Sequence, residues 1–316
     1  MKQLPIHNPS FEHLLFAFGE WLSILDYAPA TAKQLPSFSR EFIHYLETTA
    51  ELKAIAKLEA KHIRTYYNYL LGRRNTKYGG ALQENSINMH ILSINKFLEF
   101  LRHKGLHDLP LSGLKRFKVS KTDQTVLTES EVQSLFRAAN NYKDQPRYEA
   151  ISARDKALLA VFYGCGLRRT EGLKLTLTDI NFDTSVLHVR KGKGYKERFV
   201  PMSKAVGKHL EHYIYNYRSW FLKYTGQDAL FLSTQGHELS SCGVYLRLRS
   251  LQELSEDIGL QQKQLTIHCL RHSIATHLLG SGMELQKVQR FLGHTSLEST
   301  QIYTHLLEKE NTNQTA

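Results

Sequence analysis

Apolar residues recur at intervals of three and four near the start of the chain. In FEHLLFAFGEWLSIL, Phe11, Leu14, Leu15, Phe18, Trp21, Leu22 and Leu25 fall on one face of an amphipathic helix. SREFIHYLE and AKHIRTYYNYLL carry the same period and predict two more helices. Pro36 interrupts the first of these two patterns. It lacks an N–H and its ring crowds the preceding turn, so the second helix is expected to start late or to kink. RRNTKYGGALQEN, residues 73–85, is rich in Gly, Asn and basic side chains and reads as a loop. SINMHILSINKFLEFLRHKG then predicts a fourth helix, with Ile87, Ile91, Ile94, Leu98 and Leu101 on its buried side and Gly105 as its C-terminal stop. Residues 1–112 are thus expected to form an all-helical unit.

The pattern changes after this. LSGLKRFKVSKTDQ is basic and poor in apolar anchors, so residues 113–124 read as a linker that either lies along a polyanion or is simply solvated. A second unit, 125–316, opens at LTESEVQSLFRAA, where Thr128 and Glu131 have capping-box spacing ahead of a periodic apolar run. ALLAVFYGCGLRRTEGLKL reads as helix, glycine-punctuated turn, helix. SVLHVRKGKGYKERFVPM alternates on either side of a Gly-Lys-Gly turn and predicts a β-hairpin, and ALFLS is a candidate strand. Helices resume in SCGVYLRLRSLQELSEDIG, IHCLRHSIATHLLGSG and ELQKVQRFLG, with a short last one from Ser296 through Tyr303. The expected fold class is mainly α with a small antiparallel sheet: an all-helical N-terminal domain followed by an α+β domain.

Composition narrows the partners. In 316 residues, 41 Lys and Arg face 30 Asp and Glu, for a formal charge of +11. Such an excess favours a polyanion such as nucleic acid. No apolar run reaches the roughly 18 residues that a membrane span requires. The N-terminal residues lack the apolar stretch and small-residue cleavage site of a secretory signal. Cys165, Cys242 and Cys269 stand far apart, which suits a reducing, cytoplasmic setting better than a disulfide framework.

Several chemistries find no support. The chain has no P-loop, no H-E-x-x-H and no dinucleotide fingerprint, and the G-x-G of GKGYKER sits in a hairpin turn without a third glycine. His268 and His272 have metal-ligand spacing, but nothing nearby completes three ligands and Cys269 points off their face, so no metal or cofactor is expected. What does recur is a set of cationic and proton-carrying residues at loop and helix ends: Arg168, Lys193, His268, Arg271, His294 and Tyr303. Two arginines and a histidine can meet the negative charge that develops on a phosphodiester without a metal. A tyrosine, neutral at pH 7, needs a base or a strongly cationic pocket to become a nucleophile. A lysine among other cations suits the role of general acid.

The stretches YGCGLRRTEGLKL, GKGYKERFVP, IHCLRHSIATH and LGHTSLESTQIYTH, in this order and spacing, resemble the tyrosine recombinase (phage integrase) family, in layout its Xer-like branch. The likeness covers nearly the whole chain. It implies an N-terminal core-binding (SAM-like) domain and a catalytic domain that together form a C-shaped clamp on double-stranded DNA. It further implies a homotetramer on two DNA sites, with or without a second recombinase or accessory protein, and strand exchange through a Holliday junction during integration, excision, inversion or resolution.

By resemblance, Arg168 and Arg271 clamp the scissile phosphate, Lys193 protonates the leaving 5′-hydroxyl and His268 assists proton transfer. His294 would hydrogen-bond the phosphate, and Tyr303 would attack it to form a 3′-phosphotyrosine without metal or ATP. Arg169 is a rival for the first clamp, though the G-L-R register favours Arg168, and Glu171 matches an acidic position that orients its neighbours. Cys269 stands where the family often has Asp, and Gly172 where it usually has an apolar residue. Two other classes stand beside it: a type IB topoisomerase-like relaxer, which would use the same residues, and a non-catalytic DNA-binding regulator, which would need only the basic surface and be indifferent to Tyr303→Phe.

Overall fold

The computed structural model describes residues 4–75, 79–118, 125–142, 146–190 and 197–293. The chain separates into two compact units, Met1–Lys121 and Thr122–Ala316.

The first unit is a helical cluster. Helix α1 (Pro9–Ile24) starts where Asn8 caps it, its side chain accepting from the Ser10 N–H at 2.9 Å, with Pro9 in the first turn. Phe11, Leu15, Phe18, Trp21 and Leu22 are buried as the period predicts, whereas Leu25 is the C-cap and lies 48% exposed. Helix α2 (Pro29–Thr48) corrects the expectation at Pro36: it starts early and runs through the proline. Ala32, Leu35, Ser39, Phe42, Ile43 and Leu46 form one continuous buried stripe across that position, and burial of the stripe outweighs one missing backbone bond. Helix α3 (Ala60–Gly72) buries Ile63, Tyr66 and Leu70. Helix α4 (Glu84–His103) buries all five residues expected of it, and Gly105 follows with φ +95°. Where α2 meets α4, Ser39 and Ser93 share a hydrogen bond of 2.8 Å and Ser93 also donates to the Leu35 carbonyl.

The second unit begins with helix α5 (Glu129–Ala138), and its capping box is present on both sides: Glu131 N–H to Thr128 Oγ1 at 3.2 Å, Thr128 N–H to Glu131 Oε2 at 2.8 Å. Helix α6 (Pro146–Leu159) widens into a π-helical turn at Ala160–Gly164 before the short helix α7 (Arg169–Leu173). The predicted hairpin is β2 (Val186–Val189) against β3 (Arg198–Pro201), with Leu187 opposite Val200 and Val189 opposite Arg198. A two-residue strand, β1 (Ile180–Asn181), adds to β2 to give the order β1-β2-β3.

ALFLS is not a strand. Ala229, Leu230, Phe231 and Leu232 are buried, but their backbone pairs only through single bridges, Thr176 with Ala229 and Leu232 with Glu238. Helix α8 (Lys204–Glu211) leads through a second π turn, His212–Tyr217, toward helix α9 (Ser241–Leu254). The single predicted helix there divides at Ser255, giving the separate helix α10 (Ile258–Gln262). Helix α11 (Ile267–Gly280) is capped by Thr266, and helix α12 (Leu285–Leu292) ends at Gly293. The helix expected from Ser296 through Tyr303 lies outside the described residues, as does the hairpin tip, 191–196. None of the described helices is long and apolar enough to cross a membrane.

Candidate active site

Cys165 and Leu167, both fully buried, pin the turn that follows the π segment, so Arg168 leaves the core at the start of α7. Gly166 has φ +59°, and a Cβ there would stand 2.8 Å from Leu292 Cδ2, so α12 can close on this turn only because residue 166 has no side chain. Six residues along, Gly172 is also kept small by packing: a Cβ there would meet the buried Phe162 ring at 2.4 Å. The apolar side chain usual in the family has no room here.

Glu171, 8% exposed, is the hub of the site. Its Oε2 accepts the Arg168 backbone N–H at 2.8 Å and its Oε1 accepts Arg168 Nη1 at 2.9 Å. Arg198, the first residue of β3, grips both oxygens, Nη1 to Oε1 at 3.0 Å and Nη2 to Oε2 at 2.9 Å. Arg271 Nη1 stands 3.9 Å from Oε2. Burial alone would raise the Glu171 pKa, but the bonds and charges of Arg198 and Arg168 outweigh it and hold the carboxyl at about 2.

The same three arginines also secure the end of α12. Arg198 Nε donates to the Phe291 carbonyl at 3.2 Å, Arg271 Nη2 to Leu292 at 2.7 Å and Arg168 Nη2 to Gly293 at 3.2 Å. The last carbonyls of a helix lack intrahelical partners and carry partial negative charge, so three guanidiniums satisfy and neutralise them together. Arg271, 3% exposed, also donates to the Gly166 carbonyl, tying α11 to the turn before Arg168. Gly293, at φ +66°, ends the helix and hands the chain on to His294.

His268 lies in the first turn of α11 on the solvent side, on one face with Arg271. Partial desolvation lowers its pKa, and the charges of Arg271, Arg169 and Arg168 push in the same direction. His272, its ring centroid 6.4 Å away, is pushed down to about 4 by burial, His268 and Arg271. Both shifts favour the neutral imidazole near pH 7. Cys269 is buried behind them, its thiol donating to the Gln264 carbonyl at 3.1 Å and 3.0 Å from Thr266 Oγ1. Among the described residues no three His, Cys, Asp or Glu side chains gather as a metal site.

Of the expected set, Arg168, His268 and Arg271 thus converge from α7 and α11, and the exposed Arg169 reaches the group only through its charge. Lys193, His294 and Tyr303 lie outside the described residues. Arg198 was not among the sequence candidates. Its signal was a charge on the same strand parity as the buried Val200, an inward position that demands a buried partner.

Residues 125–310 match the model of the phage integrase family. A tyrosine recombinase XerD from Halalkalibacterium halodurans is 32% identical over 268 residues, 84% of this chain and 84% of its own. A tyrosine recombinase XerC from Oceanobacillus iheyensis is 34% identical over 297 residues, 92% of this chain and 90% of its own. The crystal structure of a XerH site-specific recombinase bound to its difH substrate in a pre-cleavage complex shares the fold, with a TM-score of 0.71 at 17% identity over 98% of each chain. With its family model spanning more than half of its length and Xer relatives matching most of the remainder, this chain belongs to the phage integrase family, as a Xer-like tyrosine recombinase.

Proposed function

We propose that this protein recombines DNA at a specific site by cutting and rejoining duplex strands through a 3′-phosphotyrosine on Tyr303. The observation that carries the reading is the convergence of Arg168 and Arg271 on the end of α12, from which the chain enters His294, with His268 on the same α11 face as Arg271. In this reading the Arg168 and Arg271 guanidiniums meet the non-bridging oxygens of the scissile phosphate, where negative charge grows in the transition state. Glu171 and the α12 carbonyls hold both guanidiniums in place beforehand, so little reorganisation is left for the chemical step. The Tyr303 hydroxyl attacks phosphorus and gives up its proton with help from His268. The bond to the 5′-oxygen breaks, and Lys193 protonates that oxygen as it leaves. His294 hydrogen-bonds the phosphate. One phosphoester replaces another, so the reverse attack by a 5′-hydroxyl reseals a strand without ATP.

The partner is double-stranded DNA, held mainly through its phosphates by the basic surface. Four protomers act on two sites and exchange strands in pairs through a Holliday junction. Adduct capture tests the reading. The protein and its Tyr303→Phe variant are each mixed with sheared DNA from the source cell, denatured in detergent, and the protein-linked fragments are sequenced. Adducts formed by the wild type alone, sharing an inverted repeat, are the expected result. Adducts without a shared sequence would identify a relaxing enzyme, and salt-sensitive binding with no adduct from either protein would leave a DNA-binding regulator.

A further inference from the structure

The reading above leaves Arg198 without a role, yet its side chain is built into the site. Its guanidinium spends all three nitrogens: two on the Glu171 carboxylate and the third on the Phe291 carbonyl. Only a planar fork can satisfy that set at once, and a lysine cannot. The backbone of Arg198 is fixed by the ladder, opposite Val189, at the point where β3 begins after the 191–196 segment that contains Lys193. Its side chain lies under Gly293, where an added Cβ would stand 2.8 Å from Arg198 Cδ and 2.9 Å from Nε. The hairpin, the α7 carboxylate and the end of α12 are therefore joined through one residue.

We propose that Arg198 is a positioning residue: by gripping Glu171 and the last turn of α12 together, it sets Arg168 and Arg271 against the segment entering His294. This rests on the recombinase reading. Arg168 and Arg271 reach the same end of α12 through Gly293 and Leu292, so a shift of Glu171 or of that turn moves both. Among the described residues, the charged groups set against Glu171 are Arg168 from the start of α7, Arg198 from β3 and Arg271 from α11, and the end of α12 meets these arginines through its carbonyl oxygens. Without Arg198 the buried carboxyl keeps its desolvation and loses its strongest partner, so it takes up a proton at a higher pH.

The test compares wild type, Arg198→Ala, Arg198→Lys, Glu171→Gln and the Ala/Gln double variant, using sheared DNA of the source cell as probe. Binding is read by filter retention and cleavage by the initial rate of detergent-stable adduct. Arg198→Ala should slow adduct formation about 100-fold with binding little changed, the scale of loss expected for misplaced catalytic groups. It should also move the acid-side fall in rate to higher pH than in the wild type, because Glu171 then takes up a proton more readily. The double variant should be no slower than the slower single one. Wild-type rates in Arg198→Ala, equal losses of binding and cleavage, full recovery in Arg198→Lys or additive losses in the double variant would each overturn the proposal. Hydrogen exchange on the DNA-free protein supplies an arm independent of cleavage. Arg198→Ala must speed exchange across residues 286–293 and leave the N-terminal unit unchanged, and no change there overturns the coupling. If the wild type yields no adducts while this exchange effect is present, it is the recombinase reading that fails.

Discussion

Taking a carboxylate out of water costs several kcal/mol unless other groups replace the solvent. At Glu171 the replacement consists of two guanidiniums and a backbone N–H, which turn a residue that burial would neutralise into a firm anion. This has a consequence for pH. The ordinary carboxyl value is 4.5 and the folded one about 2. The stabilisation is thus complete above about pH 4.5 and is lost as the pH falls through about 2, amounting to at most about 3 kcal/mol. Unfolding by urea between about pH 5 and pH 2 should show wild type losing stability more steeply than Glu171→Gln. Parallel curves would mean that the arginines do not hold the charge. Glu171 could be singled out in the sequence through the resemblance to the family, which has an acidic position there that orients its neighbours. The second arginine on it could not, because Arg198 is distant in sequence and its alternating strand pattern does not say which carboxylate it meets.

Whole elements differ in how locally they are specified. Helix α5 is specified within four residues, since Thr128 and Glu131 satisfy each other's N–H groups before any tertiary contact is made. Thr128→Ala should therefore cost about 1 kcal/mol, read as a lower urea midpoint for the second unit. An unchanged midpoint would show that Lys263, 2.8 Å from Glu131 Oε2, holds the helix start without the threonine. Helix α2 is the opposite case. Local chemistry at Pro36 argues for a break, and the buried stripe from Ala32 to Leu46 keeps the helix continuous. The segment Ala229–Leu232 is a third kind. Continuous burial gives it the apolar run of a strand, but its neighbours at Leu175 and Leu239 offer single backbone bonds and no ladder.

For the whole molecule, the excess of basic residues sets how binding responds to salt. Each phosphate neutralised releases a counterion, so affinity falls as a power of salt concentration. With on the order of 6–10 phosphate contacts, raising salt from about 50 to about 200 mM should weaken binding roughly 10³-fold or more. A titration at several salt concentrations checks this, and a flat response would mean that the charge of +11 does not face DNA.

Periodicity, a few caps and the order of four motifs are enough to establish a helical first unit, a hairpin in the second, the family and the residues to suspect. These are legible because each is written within a few turns of chain, where residue type and spacing decide the local face and the local chemistry. The arrangement around Glu171 is of another kind. Residues 168–171, 198, 271 and 291–293 come from four separate elements, and their meeting depends on how α7, β3, α11 and α12 pack. Gly166 and Gly293 permit that packing only by lacking side chains, and Arg198 completes it from an inward strand position. Contacts between distant segments leave no period in the sequence, so the cationic groups and Glu171 could be singled out from the chain, while the way the carboxylate and the helix end hold the arginines together required the folded structure.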